Sequence, residues 1–508
     1  MNRKVGVIYS NILMVVEIFS TMLFTPFLIR TLGQAEYGVY QLVTSLTSYL
    51  VLLDLGVGNS VIRYVAKYRA DNDIQAQKKF LGVTTIYYLL IAFVALGIST
   101  VILVLFPTVF AKGLSAEEVQ LAEKLFSITM CAVAFSLGTS AFSNTVIAYE
   151  RFSVSKGTVI ILTVLKILMS VVALKLGFGS MGIVIVNFCI TILTRSIYVV
   201  YVLFILKIRP SFKKVEFSYV KEIASFSSFV LLQMVASQIN AMSDQVLLGI
   251  FAKGASVIIG IYGVGAQVLQ YFKTIGSHFT SVLMPGLVRL VEAGADAKRY
   301  ESEMIRISRI VFMVISVIWV VFGLLGKDFI CLCAGAEIEQ AYFVAVVLML
   351  PTIFSYSEGV GYQLLQSMAK HRIPAIVQVI AAALNVVLTI ILIYWNPLKG
   401  AVISTFIALF ACDIIIMNIM YKRQIGIRLT VYFSGMFKGI VPCLALSAAV
   451  GGLMKLAHLN AYGWFGFVVN CGVMVLVYVI SMWLFGMNTY EKSLILSPLK
   501  KLQKKIFK

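Results

Sequence analysis

Long apolar segments alternate with short polar ones along the whole chain, and the hydrophobic residues within each apolar segment are nearly continuous. An α-helix needs about 20 residues to cross a hydrocarbon core about 30 Å thick, and the apolar segments reach that length. A transmembrane barrel would instead show strands of about ten residues with alternating polarity. The pattern therefore predicts an all-α integral membrane protein with about 14 transmembrane helices. The predicted helices span residues 5–29, 38–62, 81–106, 121–148, 157–177, 181–206, 222–251, 256–284, 304–326, 339–367, 373–395, 399–420, 433–457 and 462–486.

The composition agrees with a membrane protein, because 60% of the residues are hydrophobic and only 13% are charged. In a soluble protein a net charge of +20 would suggest a nucleic-acid partner. Here the Lys and Arg residues are concentrated in alternate loops, as they are in loops that stay in the cytoplasm. We therefore expect both termini in the cytoplasm and no nucleic-acid partner. The basic tail, residues 491–508, is expected to lie along the inner leaflet.

A sequence repeat divides the chain into two halves. Tyr37-Gly38-Val39 recurs as Tyr262-Gly263-Val264, and further on Gly182 is matched by Gly400. Each half contains six predicted helices, and an even number makes the two copies parallel repeats. We expect two pseudo-symmetric lobes that enclose a central cavity and work by alternating access. The predicted divisions are an N-lobe at 1–210, a C-lobe at 211–430, two extra helices at 431–490 and the basic tail at 491–508.

Several predicted helices carry polar residues at helical spacing, which places these residues on one helical face. Polar side chains are costly in lipid, so such faces either line a cavity or hydrogen-bond to neighbouring helices. Gln41, Asn240 and Gln270 are candidate substrate contacts. The polar stripes are Gln41, Thr44 and Ser48 in the second helix, Gln233, Ser237, Asn240 and Asp244 in the seventh, and Gln270, Lys273, Ser277 and Thr280 in the eighth.

Charged residues inside the predicted helices are functional candidates, because an uncompensated charge in a bilayer is costly. Lys273 lies near the middle of the eighth helix, where we expect it to contact substrate and to pair with Asp244 at rest. Lys166 and Arg195 either pair locally or line the first lobe, where they would also contact substrate. The acidic candidates for binding a coupling ion are Glu17, Asp54 and Asp244.

Four prolines lie inside or at the ends of the apolar segments: Pro26, Pro285, Pro351 and Pro442. Each removes a backbone hydrogen bond and therefore predicts a bend. Such bends suit helices that gate a cavity, and a static kink is equally consistent with the sequence.

Residues 27–46, "FLIRTLGQAEYGVYQLVTSL", run into the segment "LLDLGVGNSVIRYVAKY". Together they resemble the N-terminal signature of the polysaccharide transport branch of the multidrug/oligosaccharidyl-lipid/polysaccharide (MOP) exporter superfamily, the Wzx-type lipid-linked oligosaccharide flippases. The resemblance covers about residues 1–430 and implies a MATE-like fold. It also implies that an undecaprenyl-diphosphate-linked oligosaccharide moves from the inner to the outer leaflet of a bacterial cytoplasmic membrane. Basic cavity residues would then hold the diphosphate, with Lys273 and Arg30 as the best positional matches.

The resemblance implies membrane lipids and other polysaccharide-assembly proteins as partners, and it leaves competing functions open. A multidrug or toxin cation antiporter shares the fold and would use acidic cavity residues. A lipid II flippase also shares the fold, and its added helices resemble the extra pair here. A polysaccharide polymerase or ligase would carry a large outer loop with catalytic residues, whereas the predicted outer loops are short. We expect no enzyme, cofactor or metal site, since nucleotide-binding and nucleophile motifs are missing from the sequence.

Overall fold

A computed structural model of the chain describes residues 2–212, 218–292, 294, 296–368, 370–457, 463–494 and 496. Over these residues the regular secondary structure is helical, as predicted. Helices satisfy their backbone polar groups internally, which a bilayer requires of its spanning segments. The chain forms two compact units, Met1–Gly263 with Val386–Ala401, and Val264–Asn385 with Val402–Lys508. The lobe boundaries taken from the sequence repeat stay a prediction.

The first nine helices in chain order are α1 Asn2–Leu50, α2 Val57–Ala70, α3 Ile74–Phe110, α4 Ala116–Gly138, α5 Ser140–Ala148, α6 Phe152–Lys175, α7 Gly179–Val200, α8 Ser218–Phe251 and α9 Ala255–Glu292. Helix α3 packs on α4, α6 packs on α1 and α7, and α2 packs on α5. A buried cluster including Val61, Phe80, Tyr88 and Val146 joins α2, α3 and α5. This packing leaves a polar space between α4, α5, α6 and α7.

The remaining helices are α10 Ala297–Ala334, α11 Ala341–Ser357, α12 Gly359–Ser367, α13 Arg372–Ile393, α14 Pro397–Leu409, α15 Met417–Ile425, α16 Leu429–Phe437, α17 Ile440–Leu456 and α18 Gly463–Ser481. A π-helical segment, Phe410–Ile416, joins α14 to α15. In the second unit α10 is the central helix, because it packs against α11, α16, α17 and α18.

Each predicted helix coincides with a helical segment of the structure, but several predicted helices are broken. The predicted helix 38–62 is broken at Leu55 and Gly56, where both φ values are positive, whereas the non-helical Gly33, with φ 76°, lies in the predicted gap between helices 5–29 and 38–62. Neither Pro26 nor Pro351 interrupts its helix. The three bent pairs, α1 with α2, α11 with α12 and α16 with α17, bend by 41°, 42° and 43°. The breaks therefore follow left-handed backbone conformations and tertiary packing more than they follow proline.

The repeated motif lies where α1 packs closely against α9 in the first unit. A side chain on Gly38 would overlap the carbonyl oxygen of Ser256. A Cβ on Gly263 would lie 3.0 Å from Cγ of Gln41. Close approach of two helices requires small residues, so both copies of the motif supply a glycine to this contact.

Among the described helices, nine are long and apolar enough to cross a membrane, or up to twelve if each bent pair counts as one span. Their outward faces carry large apolar side chains, such as Phe93 and Val104 of α3, each 73% exposed. The chain is therefore a multi-pass membrane protein. Most of the predicted basic tail, residue 495 and residues 497–508, lies outside the described residues.

Candidate functional site

The first unit contains a cavity of about 670 Å³ between α1, α4, α5, α6 and α7. Hydroxyl, amide and charged side chains form much of its wall, although the surrounding helices are apolar overall. The lining residues are Leu13, Glu17, Ser136, Ser143, Asn144, Ile147, Ser155, Lys156, Val159, Leu162, Thr163, Lys166, Asn187, Ile190, Thr191, Thr194, Arg195 and Tyr198. Polar residues concentrated in this way inside membrane helices are typical of a water-filled or ligand-binding cavity.

Basic side chains outnumber acidic ones in the described wall of this cavity. Lys156, Lys166 and Arg195 line it together with Glu17. Lys166 and Glu17 interact electrostatically. The sequence analysis selected Lys166, Arg195 and Glu17, and the structure brings all three together. The sequence analysis placed Lys156 in a loop before the predicted helix 157–177, whereas the structure places this residue near the start of α6.

The guanidinium group of Arg195 is held by neutral hydroxyl groups. Its Nη1 donates to Oγ of Ser143 at 2.8 Å, and its Nη2 donates to Oγ of Ser136 at 2.6 Å. These two serines lie on α5 and α4, on either side of the break at Thr139. The two hydrogen bonds fix the position of the guanidinium group.

Asp54 lies within electrostatic range of Arg195. Its Oδ1 accepts a hydrogen bond from Oη of Tyr88 at 2.6 Å, and its Oδ2 accepts one from the backbone N–H of Gly58 at 3.4 Å. The second bond satisfies a backbone donor in the first turn of α2, just after the break at Leu55. Asp54 thus stabilises the broken helix, and its role in ion binding stays a prediction.

Asp244 is a buried carboxylate with two hydroxyl donors in the first unit. Oη of Tyr262 donates to Oδ2 at 2.5 Å, and Oγ1 of Thr389 donates to Oδ1 at 3.1 Å. These bonds join α8 to α9 and to the end of α13. Only 1% of the residue is exposed, so its charge is largely removed from water. Its predicted role in ion binding also stays a prediction.

The other polar candidates of the first unit contribute to helix packing. Nε2 of Gln41 donates to Oη of Tyr37 at 2.5 Å. Nε2 of Gln238 on α8 donates to Oγ of Ser48 on α1 at 2.6 Å, which joins these two helices. Asn240 lies half-buried on α8. Gln41 and Asn240 are not among the cavity-lining residues, which agrees with the alternative that these stripes hold helices together.

Arg30 is exposed on α1, three residues before the break at Gly33. It is not among the residues that line the cavity of the first unit. Arg195 and Lys166 do line that cavity, and the roles of all three residues in substrate binding stay predictions.

In the second unit, Lys273 on α9 interacts electrostatically with Asp413. Oγ of Ser355 donates to Oδ2 of Asp413 at 3.4 Å. The sequence analysis expected Asp244 as the partner of Lys273, whereas the structure places Asp413 beside it. An acidic residue inside an apolar segment was the available signal, and it was overlooked. Gln270 is exposed one turn before Lys273.

A smaller cavity of about 350 Å³ lies in the second unit. Its described wall combines aromatic, amide and hydroxyl side chains with one carboxylate. The lining residues are Ser277, Ser355, Tyr356, Gly359, Tyr362, Gln363, Pro374, Val377, Gln378, Asp413, Met417 and Tyr421.

The fold is similar to that of several solved membrane proteins. A lipid II flippase MurJ in an inward closed conformation superposes with a TM-score of 0.68 at 15% identity, covering 97% of this chain and 99% of that one. A multidrug resistance MATE family transporter of the MOP superfamily, inward-facing, gives a TM-score of 0.60 at 14% identity over 80% of this chain and 94% of that one. A MOP superfamily transporter from Pyrococcus furiosus gives a TM-score of 0.51 at 15% identity, covering 83% of this chain and 95% of that one.

The sequence itself identifies the family. Residues 6–291 match the polysaccharide biosynthesis protein family, which is more than half of the chain, and the protein belongs to that family. A search of curated proteins finds no significant match.

Proposed function

We propose that the protein flips an undecaprenyl-diphosphate-linked oligosaccharide from the inner to the outer leaflet of the bacterial cytoplasmic membrane, for the synthesis of a cell-surface polysaccharide. Membership of the polysaccharide biosynthesis family and the MOP fold support transport of this kind. The observation that carries the proposal is the basic cavity of the first unit. A diphosphate group leaves water only where cationic side chains replace its hydration.

In this proposal Arg195 and Lys166 bind the diphosphate. Arg195 is already oriented by its two serine partners, and its planar group suits phosphate oxygens. Two unit charges 4 Å apart attract by about 4 kcal/mol at an effective dielectric constant of about 20. Two such contacts offset a desolvation cost of several kcal/mol. The arriving diphosphate displaces the Glu17 carboxylate from Lys166, and the lipid tail stays in the bilayer.

Flipping makes and breaks no covalent bond, so the protein acts as a transporter and not as an enzyme. Alternating access carries the headgroup across, with both termini in the cytoplasm. An ion gradient supplies the energy through Asp244, Asp54 or Glu17, because the sequence carries no nucleotide-binding motif. Other polysaccharide-assembly proteins supply the substrate and accept the product.

Other functions with the same fold have less support. A cation antiporter needs an acidic cavity, whereas basic side chains outnumber acidic ones in the described wall of the first-unit cavity. A lipid II flippase would serve peptidoglycan synthesis, and the polysaccharide biosynthesis family favours a different glycan.

The test uses the purified protein in vesicles that contain an undecaprenyl-diphosphate-linked oligosaccharide, with a membrane-impermeant sugar-binding reagent to count headgroups on each leaflet. The double variant Lys166→Gln/Arg195→Gln is expected to slow flipping at least about tenfold, because each lost contact exceeds the 1.4 kcal/mol that corresponds to tenfold. The matched control is Lys175→Gln, which removes an exposed cation from the end of the same α6 helix. A folded double variant that flips at the wild-type rate would refute the proposal.

A further inference from the structure

A buried carboxyl group lies at the break between α11 and α12. Glu358 is 1% exposed and joins two helices that meet at an angle of 42°. Nδ2 of Asn418 on α15 donates to its Oε2 at 2.7 Å. Within the described part of the chain, Oε1 of Glu358 has no hydrogen-bond partner.

The side chain of Asn418 likewise has an acceptor atom without a hydrogen-bond donor. Nδ2 of Asn418 also donates to the carbonyl oxygen of Ile414 at 2.8 Å, but its Oδ1 lacks a described partner. Both unsatisfied atoms are therefore acceptors, on two side chains that are already joined through their other ends. A proton on Oε1 of Glu358 would turn that atom into a donor, and Oδ1 of Asn418 is an acceptor that lacks one.

The surroundings of Glu358 favour its neutral form. Its described ionisable neighbours are Asp413, Tyr421 and Tyr432, and all three become negative when they lose a proton. Tyr362 on α12, close to Asp413, is of the same kind. Lys273, a cation of the same unit, interacts with Asp413.

Two other buried carboxylates of the second unit show the contrast. Glu301 forms an ion pair with Arg428 at 2.9 Å, and Glu491 forms one with Arg309 at 2.8 Å. A buried carboxylate keeps its charge when an arginine compensates it, and it takes up a proton when nothing does. Glu358 belongs to the second case.

The cavity of the second unit lies close to this pair. Gly359, Met417 and Tyr421 line that cavity, and they are sequence neighbours of Glu358 and Asn418 or lie one turn away. Both side chains also lie at irregular points, because Glu358 is at a helix break and Asn418 follows the π-helical segment. Helices interrupted in this way often change shape at functional sites.

We propose that Glu358 and Asn418 form a proton-binding site in the second unit. At neutral pH Glu358 holds a proton on Oε1 and donates it to Oδ1 of Asn418. When the O–H bond breaks, the proton passes to cavity water, Glu358 becomes a carboxylate with no donor for its Oε1, and the hydrogen bond to Oδ1 of Asn418 is lost, so the pair opens. The bend between α11 and α12 then changes. This site is additional to the acids assigned to ion coupling above and does not depend on the identity of the transported lipid.

The test is infrared spectroscopy of the full-length protein in lipid vesicles without substrate. The wild type is expected to show the carbonyl band of a protonated carboxyl group at neutral pH, to lose it when the pH is raised, and to lack it entirely in Glu358→Gln. Glutamine keeps a donor and an acceptor in the same places, so the variant should fold. The control is Glu303→Gln, which alters a partly exposed carboxylate paired with Arg306 and should leave the band unchanged.

Three results would overturn the proposal. The band could keep its full intensity in Glu358→Gln, which would mean that Glu358 is ionised. It could persist at every pH at which the protein stays folded, which would mean that the proton is never released. It could disappear when Na⁺ replaces another salt at constant ionic strength, which would make this a metal-cation site.

Discussion

Arg309 connects the central helix of the second unit to α16 and to the segment that follows α18, and its replacement is expected to separate them. Nε donates to Oε1 of Glu491 at 2.8 Å, and Nη1 donates to the carbonyl oxygens of Gly435 at 2.8 Å and Lys438 at 2.7 Å. Nη2 donates to the carbonyl oxygen of Gly486 at 3.2 Å. The Arg309 and Glu491 side chains are only 8% and 4% exposed.

The change Arg309→Met leaves the Glu491 charge buried without a cation and deprives three carbonyl groups of a donor. Removing one partner of a buried ion pair costs about 3–5 kcal/mol. The three carbonyl groups together add about 1–2 kcal/mol, because some of them regain a partner when the helix ends relax. We therefore expect Arg309→Met to lower the free energy of unfolding by about 4–7 kcal/mol.

The assay is thermal unfolding in detergent, followed with a dye that fluoresces on reaction with a thiol. Cys443 on α17 is 3% exposed, so in a variant that keeps only this cysteine the dye reports when α17 leaves the unit. Arg309→Met should react at a markedly lower temperature, and Arg309→Met/Glu491→Gln should recover part of the loss because the buried charge is gone.

The matched control for this experiment is Lys327→Met on the same α10 helix. Lys327 forms an ion pair with Glu339, but their side chains are 48% and 47% exposed. Exposed pairs of this kind contribute little to stability, so no measurable change in melting temperature is expected. If Arg309→Met unfolded at the same temperature as Lys327→Met, the assigned role of Arg309 would be wrong.

Three further predictions follow from the first unit and from the loop charges. Gly38→Ala should lower the melting temperature, because its methyl group would overlap a carbonyl oxygen of α9. The control Gly97→Ala faces open space and should leave the melting temperature unchanged. Equal melting temperatures of the two variants would contradict the close packing of α1 on α9. Glu17→Gln and Lys166→Gln should each destabilise the protein, because each leaves the other charge without its partner. The double variant should be more stable than the sum of the two single effects predicts. A double-mutant cycle without coupling would show that the two charges do not interact. Alkaline phosphatase fused after Lys508 should be inactive in cells, because that enzyme needs an extracytoplasmic location; an active fusion would reverse the predicted orientation.

The sequence by itself determined the class of the protein and the position of its helices. Apolar length is a local property, and a run of about 20 apolar residues has few stable alternatives to a membrane helix. The repeat of Tyr37-Gly38-Val39 was also readable without a structure, and so was the placement of Lys166 and Arg195 inside helices. Each of these features depends on residues close together in the chain.

The tertiary structure decided which of these residues meet. Arg195 lies about 50 residues from its partner Ser143, and Lys273 lies still farther along the chain from Asp413, so no spacing rule indicates either contact. The break at Glu358 also escaped the sequence analysis, which predicted one continuous helix over residues 339–367. Hydrophobicity fixes where a helix lies in the chain, but the partner of a buried charge is fixed by how distant helices pack, and that information is spread over the whole sequence.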